Sequence, residues 1–234
     1  MNIPTLYGIG VGPGDPDLIT LKAHRLITNA AHIAYFAPTG GGSFARSIVA
    51  DYIPKTAHEL QFEVPMVSGR APAQSIYDEA ARRIHHCLDQ GEDVILLCEG
   101  DPLTYGSFIY ILSRMRKTHP VEIVAGISAI QACAASAGFA LASRNEIFQI
   151  VPAPLGDQHI MDALDHGDSF AIIKLGRHLP RLRALLKAKG LEDNTHYIAH
   201  VGLDRQICCA LRDAPAQAPY FSMLLIYKGQ EPWR

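Results

Sequence analysis

Two Gly-Asp-Pro turns, each placed directly after an apolar run, are the features of this sequence that could carry chemistry. The first ends residues 8–16 (GIGVGPGDP), and the second ends residues 94–102 (VILLCEGDP). Glycine allows a positive φ and close approach to a ligand, and proline fixes its own φ, so both segments suit tight turns. Open α/β sheets bind ligands at loops that follow the carboxyl ends of parallel strands. The paired turns therefore predict a small-molecule site.

The glycines of the first turn do not fit a dinucleotide-binding fingerprint. A Gly-x-Gly-x-x-Gly pattern starting at Gly8 would need glycine in place of Pro13, and one starting at Gly10 would need it in place of Asp15. The next apolar run, residues 32–37, carries no acidic residue that could hold a ribose. The sequence therefore argues against a nicotinamide-dependent oxidoreductase.

Other catalytic signatures do not occur in the sequence. Residues 40–43 (GGGS) lack the lysine of a phosphate loop, and neither Gly-x-Ser-x-Gly nor His-Glu-x-x-His is present. His85 and His86 are adjacent, so they diverge around a helix and cannot chelate a metal as a pair spaced by four residues would. We expect no metal site and no hydrolase of these types.

The composition predicts a soluble protein with one large or two small domains. The chain has 234 residues, of which 48% are hydrophobic, and a formal net charge of −2, which gives no general attraction to nucleic acid or anionic membranes. No stretch approaches about 18 apolar residues, and the amino terminus lacks a signal-peptide pattern. Five cysteines without Cys-x-x-Cys spacing predict reduced thiols. We expect a cytoplasmic protein that binds neither nucleic acid nor membrane.

Apolar runs alternate with amphipathic segments, which is the pattern of an α/β fold. In the first half we predict strands near residues 5–11, 32–37, 59–64, 93–98 and 121–125, and helices near 17–30, 43–53, 73–90 and 105–117. In the second half we predict a helix over 129–138, helices near 157–166 and 179–189, and strands near 146–151, 169–175, 195–201 and 220–227. Continuous apolar strands are typical of a parallel sheet covered on both faces. The last strand lacks a crossover helix, so the second sheet should be mixed.

A polar segment, residues 114–120, separates the two halves. It predicts an α/β domain over 1–118 and a second α/β domain over 121–234, with the ligand cleft between them. Asp17 and Ser43 are expected to cap the helices that follow them.

These motifs resemble those of the tetrapyrrole (corrin/porphyrin) methylase family over almost the whole chain. The matching segments are residues 8–16, 100–102, 126–129, 173–176 and the final strand. Ala125 is a departure, because the family usually has proline before this Gly-Ile-Ser. The resemblance implies a fold of two α/β domains with S-adenosylmethionine in the cleft between them. Further segments are similar to the subfamily that methylates precorrin-2 at carbon 20, namely residues 43–48, 65–66, 99–108, 174–178 and 220–222.

The resemblance also implies which residues contact the methyl donor. Methyl transfer from a sulfonium is an in-line displacement, so a protein must mainly orient two reactants and exclude water. Asp101 can accept hydrogen bonds from the donor's amino group or hydroxyls, and Leu175 can pack on its adenine. The donor-binding candidates are Pro13, Glu99, Gly100, Asp101, Ser128, Ala129, Leu175, His200 and Val201.

The implied acceptor is a reduced tetrapyrrole with eight carboxylates. A protein of net charge −2 must concentrate positive charge locally to bind it. Arginine suits bidentate pairing with carboxylates. The substrate-binding candidates are Arg46, Arg144, Lys174, Arg177 and His178. The methylated carbon must also lose a proton, which Asp101, Tyr105 or a substrate carboxylate could take.

Other functions stay open at this point. They are methylation of the cobalt-loaded acceptor, another corrin-ring methylation, methylation of RNA or diphthine, and tetrapyrrole binding without catalysis. The acidic balance and the lack of a basic–aromatic stripe argue against RNA. The resemblance, together with the apolar positions between Ile76 and Leu88, predicts a homodimer.

Overall fold

The computed structural model describes residues 3–65 and 71–229. Within it the chain forms two compact units, Met1–Ser128 and Ala129–Arg234. Each unit is built on its own five-stranded sheet. The expected pair of α/β domains is confirmed.

The first unit is a parallel α/β sheet, as predicted. The strand order is β3-β2-β4-β1-β5, and every neighbouring pair is parallel. Its strands are β1 (Leu6–Gly10), β2 (His32–Pro38), β3 (His58–Val64), β4 (Val94–Cys98) and β5 (Val121–Val124). Its helices are α1 (Leu21–Thr28), α2 (Phe44–Ile48), α3 (Ala71–Asp89) and α4 (Phe108–Met115), with 3₁₀ turns at Pro16–Leu18 and Ala50–Tyr52.

Both faces of this sheet are buried, which explains its continuous apolar strands. Successive side chains of a strand point to opposite faces. Accordingly Leu96 packs with residues of α3 and α4, whereas Ile95 and Leu97 pack with residues of α1 and α2. All five residues of β4 are buried, which places β4 at the centre of both layers.

The helix caps match the prediction at one position and differ at another. Ser43 caps α2, and its hydroxyl accepts the Arg46 N–H at 3.3 Å. Asp17 is not a cap, because Asp15 fills that position by accepting the Asp17 N–H at 2.9 Å. The following Pro16 suits the first helical position, since proline has no N–H to satisfy there.

The boundary between the units lies later in the chain than residues 118–121. Val121–Val124 pairs in parallel with β1, in the register Leu6↔Val121 to Ile9↔Val124. The polar segment before it therefore links α4 to an edge strand of the same sheet and does not separate the units. The chain leaves the first unit only after Ser128.

The apolar positions of α3 cover the sheet. Tyr77, Ile84 and Leu88 are at most 5% exposed and belong to the core of the first unit. These apolar side chains are therefore covered within the first unit and do not form the surplus face that was expected to contact a second subunit.

The exposed side of α3 is polar. Glu79 and Arg82 form an ion pair there at 2.7 Å. None of the helices in the described ranges is both long enough and apolar enough to cross a membrane.

The second unit is a mixed sheet, as predicted. The order is β6-β7-β10-β8-β9, with a parallel pair between β6 and β7 and antiparallel pairs elsewhere. Its strands are β6 (Phe148–Pro152), β7 (Ser169–Ile173), β8 (Thr195–Ala199), β9 (Ile207–Ala210) and β10 (Ser222–Tyr227). Its helices are α5 (Ala129–Ala137), α6 (Asp157–Asp165) and α7 (Leu179–Ala188), with 3₁₀ turns at Gly176–His178, Glu192–Asn194 and Leu211–Asp213.

The core of the second unit lies between its sheet and the helices α6 and α7. Leu164 and Leu182 pack there with Phe170 and Leu224, each at most 1% exposed. The opposite face of the sheet also has apolar cover. There the ring of Phe139, which follows α5, packs edge-on against the ring of Tyr227, with the two ring centroids 6.2 Å apart.

Gly8 tests how tightly the first core is packed. A Cβ atom at Gly8 would lie 2.2 Å from Cζ of Phe108, whose ring is 1% exposed. We expect Gly8→Ala to lower the free energy of unfolding by about 1–3 kcal/mol, as overpacking does in well-packed cores. The matched control is Gly42→Ala, because a Cβ there meets nothing within 4 Å. Equal urea midpoints for the two variants would contradict the described packing.

Candidate functional site

Three loops of the first unit meet at the carboxyl edge of its sheet. They follow β1, β4 and β5, which are neighbours because β1 pairs with both of the others. A Cβ atom at Gly126 would lie 2.0 Å from the Gly100 carbonyl oxygen, and one at Gly10 would lie 2.6 Å from the Gly126 nitrogen. No side chain fits at such distances, so the loops pack backbone against backbone.

Hydrogen bonds join the loops that carry the two Gly-Asp-Pro motifs. The Gly100 N–H donates to the Gly12 carbonyl at 2.8 Å, and the Gly12 N–H donates to the Gly100 carbonyl at 3.3 Å. Both glycines have positive φ, +82° for Gly12 and +61° for Gly100. Any other residue would pay about 1–2 kcal/mol for that conformation. Pro13 is buried directly beside this bridge.

Asp101 holds the β4 and β5 loops in place. One carboxylate oxygen accepts the Leu103 N–H at 2.9 Å and the Thr104 hydroxyl at 3.3 Å. The other accepts the Gly126 N–H at 3.2 Å. A group with both oxygens bonded in this way is a positioning group. As the base of a reaction, Asp101 would have to give up bonds that shape the site.

Glu99 is the acidic side chain of the β4 loop that is not engaged in this way. Its side chain is exposed, and no described residue forms a hydrogen bond or an ion pair with it. It nevertheless lies deep enough among its neighbours that desolvation raises the pKa of its carboxyl group. An unengaged carboxylate with a shifted pKa beside a ligand-type edge is a candidate binding group.

Tyr105 lies in the outer part of the β4 loop. Tyr105 is 47% exposed and its neighbour Leu103 is 50% exposed. Tyr105 has φ +55°, a left-handed conformation that costs a non-glycine residue about 1–3 kcal/mol. Strain of this kind concentrates at functional sites, which favours a role for Tyr105.

Leu175 does not present its side chain to a ligand. It is fully buried in the core that α6 and α7 share with the second sheet. Its carbonyl accepts the His178 N–H at 2.8 Å. The predicted packing of Leu175 on an adenine ring does not fit this position, because a buried side chain has no surface for it.

His200 and Val201 form the turn after β8. His200 has φ +53°, and its N–H donates to the Phe221 carbonyl at 2.9 Å, so this donor is not available to a ligand. Its Nδ1 is buried without a hydrogen-bond partner among the described atoms. Burial, with a smaller contribution from Arg205, lowers the pKa of His200 and favours the neutral imidazole. Val201 is buried beside it.

Arg46 is committed to an ion pair. Its Nε and Nη2 donate to the two carboxylate oxygens of Glu59, both at 3.0 Å. Hydrogen bonding from Arg46 holds the pKa of Glu59 below its ordinary value. Glu59 pairs in register with Ile33, near the amino end of the sheet and away from the three loops. The predicted substrate-binding role of Arg46 does not fit this arrangement.

Arg144 lies at the other end of the second sheet from the remaining cationic candidates. It belongs to a turn in which Glu146 accepts a hydrogen bond from the Tyr227 hydroxyl. Tyr227 ends β10 and pairs with Ser169 at the start of β7, whereas Lys174 follows the end of β7. The structure therefore does not bring Arg144 together with Lys174.

Lys174, Arg177 and His178 lie together in the turn between β7 and α7. Arg177 is exposed, and Lys174 and His178 are half-buried. Desolvation lowers the pKa of His178, and the charges of Arg181 and Arg177 lower it further. The neutral imidazole is favoured, so Lys174 and Arg177 supply the positive charge of this turn.

Several of the candidate residues share a strained backbone conformation, which their residue types alone do not indicate. In the ranges that the structure describes, four non-glycine residues have positive φ: Tyr105, Arg144, Lys174 and His200. All four are among the residues that the sequence analysis selected. The close packing of Gly10 and Gly126 was not predicted from the sequence, although the alternation of glycines at residues 8–14 could have indicated it.

The first-unit edge offers a ligand glycine backbone and the carboxylate of Glu99. Ser128 ends the β5 loop and is half-buried, and Ala129 begins α5. This donor set suits a ligand that carries an amino group and hydroxyls. Within residues 3–65 and 71–229, no group of three or more His, Cys, Asp or Glu side chains is arranged to hold a metal ion.

Comparison with known proteins gives matches along almost the whole chain. A profile of the tetrapyrrole (corrin/porphyrin) methylases matches residues 5–212. The precorrin-2 C(20)-methyltransferase of Sinorhizobium sp is 30% identical over 97% of this chain and 96% of that protein. The cobalt-precorrin-2 C(20)-methyltransferase of Salmonella typhimurium is 30% identical over 97% of each chain. The uroporphyrin-III C-methyl transferase of Thermus thermophilus, solved in complex with S-adenyl homocysteine, has a TM-score of 0.68 at 20% identity, covering 94% of this chain and 96% of its own.

The Arg46–Glu59 pair gives a pH-dependent prediction for stability. A carboxyl group whose pKa is lowered by folding stabilises the fold above its unfolded pKa, and this stabilisation is lost as the pH falls through the folded pKa. We expect Arg46→Met to lower the free energy of unfolding by about 0.5–1 kcal/mol at pH 7, as for a partly exposed pair. The difference from the unchanged protein should shrink as the pH falls from about 5 towards 3.

Urea denaturation at both ends of this pH range measures the effect. Arg177→Met is the matched control, because Arg177 is exposed and forms no ion pair with a described residue. A stability difference for Arg46→Met that stays constant with pH would contradict the assigned pair.

Proposed function

The chain belongs to the tetrapyrrole (corrin/porphyrin) methylase family, and on that premise we propose that it methylates precorrin-2 at carbon 20. The methyl donor is S-adenosylmethionine and the product is precorrin-3A, a precursor of cobalamin. The observation that carries the proposal is full-length similarity to two C(20)-methyltransferases, each 30% identical over 97% of this chain. An isolated shared motif would not support a substrate, but agreement along both chains does.

Donor binding is assigned to the glycine edge of the first unit. S-Adenosylmethionine supplies an electrophilic methyl group together with an amino group and ribose hydroxyls. We propose that Glu99 accepts hydrogen bonds from these groups, while Pro13, Gly100, Ser128 and Ala129 contribute small surfaces and backbone. Because the three loops are fixed against each other before binding, little ordering remains to oppose it.

The chemistry needs orientation more than it needs reactive side chains. A carbon–carbon bond forms at carbon 20 as the sulfur–methyl bond breaks, S-adenosylhomocysteine leaves, and the ring carbon loses a proton. Positioning of this kind is worth several orders of magnitude in rate. We propose that Asp101 positions the loops and that Tyr105, exposed and strained, faces the acceptor near the reacting carbon.

Acceptor binding is assigned to the turn between β7 and α7. Lys174 and Arg177 provide positive charge there, and the neutral imidazole of His178 adds a hydrogen-bonding group. These groups suit the acetate and propionate arms of the acceptor. Arg46 no longer belongs to this set, because Glu59 occupies its guanidinium.

The cobalt-loaded form of the same acceptor is the second candidate. The Salmonella relative that acts on cobalt-precorrin-2 is as similar to this chain as the Sinorhizobium relative named for precorrin-2. The two reactions share the ring carbon and the donor, and they differ in the metal held by the substrate.

We also propose that the protein is a homodimer and acts in the cytoplasm. Exposed apolar side chains at and before the start of α4 support the dimer: Leu103 is 50%, Ile109 41% and Tyr110 39% exposed. All five cysteines are free thiols, as suits a reducing compartment. Light scattering that gives a particle of 25.5 kDa at micromolar concentration would contradict the dimer.

Glu99→Gln tests the donor site. The change keeps the shape of the side chain and removes the charge that pairs with the donor's amino group. We expect S-adenosylhomocysteine to bind roughly tenfold more weakly, a loss of about 1.4 kcal/mol, in the range for hydrogen bonds to charged groups. Calorimetry measures it, with Glu192→Gln in the second unit as the matched control.

Asp101 is tested by comparing two replacements. Asp101→Asn keeps a carbonyl oxygen for the Leu103 and Thr104 bonds, whereas Asp101→Ala removes every acceptor. If Asp101 is a positioning group, Asp101→Ala should weaken binding of S-adenosylhomocysteine and lower stability, by about 1–3 kcal/mol each, and Asp101→Asn should cause smaller losses, because it gives up only the bond from the Gly126 N–H. Equal losses of binding in both variants, with stability retained, would contradict the positioning role and indicate that the Asp101 carboxylate contacts the donor directly.

The position of the new methyl group tests the reaction itself. Methyl-labelled donor is incubated with metal-free precorrin-2 and with cobalt-precorrin-2 in parallel, and carbon NMR locates the label. We expect the label at carbon 20. A label at another ring carbon would defeat the proposed substrate position, and turnover of the cobalt form alone would select the second candidate.

A further inference from the structure

Residues from three strands come together at the end of the second sheet where β7 and β8 finish and β10 begins. β7 and β8 both run antiparallel to β10, so both end where β10 begins. Lys174 follows the end of β7 and His200 follows the end of β8, while Phe221 immediately precedes β10, which lies between these two strands. A hydrogen bond of 2.9 Å from the His200 N–H to the Phe221 carbonyl fixes this contact. We call Lys174, His200, Tyr220 and Phe221 the aromatic edge.

The backbone of the aromatic edge is strained where the strands end. Lys174 has φ +62° and His200 has φ +53°. Glycine would take this conformation without steric cost, so a larger side chain there is retained for another reason. His200 adds a second unusual feature, a buried Nδ1 with no hydrogen-bond partner among the described atoms. Two strained residues at the ends of the strands that flank β10 indicate a functional surface.

The side chains of the aromatic edge combine apolar rings with positive charge. Tyr220 is 54% exposed and Phe221 is 39% exposed, and their rings meet at 81° with centroids 5.3 Å apart. Lys174 follows β7, the strand that pairs with β10, and the exposed Arg177 lies in the same turn as Lys174. Aromatic faces attract flat conjugated rings, and ammonium and guanidinium groups attract carboxylates. This combination suits a flat, apolar ring system that carries several negative charges.

We propose that the aromatic edge holds the ring system of the tetrapyrrole acceptor, with Tyr220 and Phe221 against the macrocycle and Lys174 paired with its carboxylates. The proposal rests on the proposed function and extends it by assigning ring recognition to these two aromatic residues. They are positioning residues, because they set the register of the macrocycle and take no part in bond making. Their loss should therefore affect the acceptor and spare the donor.

The experiment uses uroporphyrin III, a stable octacarboxylate porphyrin, as the acceptor probe and S-adenosylhomocysteine as the donor probe. Fluorescence titration measures the affinity for uroporphyrin III, and calorimetry measures the affinity for S-adenosylhomocysteine, both on the full chain. We expect Tyr220→Leu/Phe221→Leu to weaken uroporphyrin binding by about tenfold, the loss of two aromatic contacts, with donor affinity unchanged. The single variant Phe221→Leu should show part of the same loss, which covers the case in which the double variant fails to fold.

Two further variants separate recognition from structure. Ile147→Ala is the matched control, because Ile147 is 56% exposed and immediately precedes β6, at the opposite edge of the same sheet, and it should change neither affinity. Lys174→Gly should weaken uroporphyrin binding while keeping or raising the melting temperature, since glycine relieves the strained backbone.

The outcomes separate the two levels of the proposal. Unchanged uroporphyrin affinity in Phe221→Leu and in the double variant, with donor binding intact, would overturn the aromatic edge alone. A wild-type protein that binds S-adenosylhomocysteine but not uroporphyrin would overturn it as well. Failure to bind either probe would contradict the proposed function itself.

Discussion

The first unit depends on one constraint, the contact of three backbones at Gly10, Gly100 and Gly126. A Cβ atom on Gly10 or on Gly126 would lie 2.5 Å or 2.0 Å from the Gly100 carbonyl oxygen, so the loops after β1, β4 and β5 can meet only where these two residues carry no side chain. The hydrogen bonds of Asp101 and the bridge between Gly12 and Gly100 then fix the loops in that position. The motif residues thus act first on each other. Under the proposed function, the carboxylate of Glu99 is the acidic group of this edge that is left for the methyl donor.

The proposed binding edges of the two units are shaped by different physical means. The first uses glycines, which permit close approach and positive φ at no steric cost. The second keeps Lys174 and His200 in left-handed conformations that glycine would adopt more easily. A protein selected for stability alone would have relieved that strain. The contrast fits the proposed roles, in which close backbone packing shapes the first edge and side chains bind at the second.

Much of the fold could be predicted from the sequence, because apolar runs of strand length alternate with amphipathic helices. The parallel first sheet, the mixed second sheet and most strand positions followed from that pattern. The boundary did not, since the pairing of β5 with β1 is a long-range contact that leaves no local signal. The site could be predicted only in part. The residue types identified Arg46 and Arg144 as cations. They could not show that Arg46 is paired with Glu59, or that Arg144 lies at the far end of the second sheet from Lys174.

The place of β5 has a consequence for dividing the chain. The polar segment at residues 114–120 looks like a natural cut point between domains. A fragment ending there would lose β5 and leave β1 as an open sheet edge, with a row of unpaired N–H and carbonyl groups. Such edges recruit strands from other molecules and aggregate. A chimera with a relative that keeps the first sheet whole must therefore join the two sequences after Ser128 and not within the polar segment.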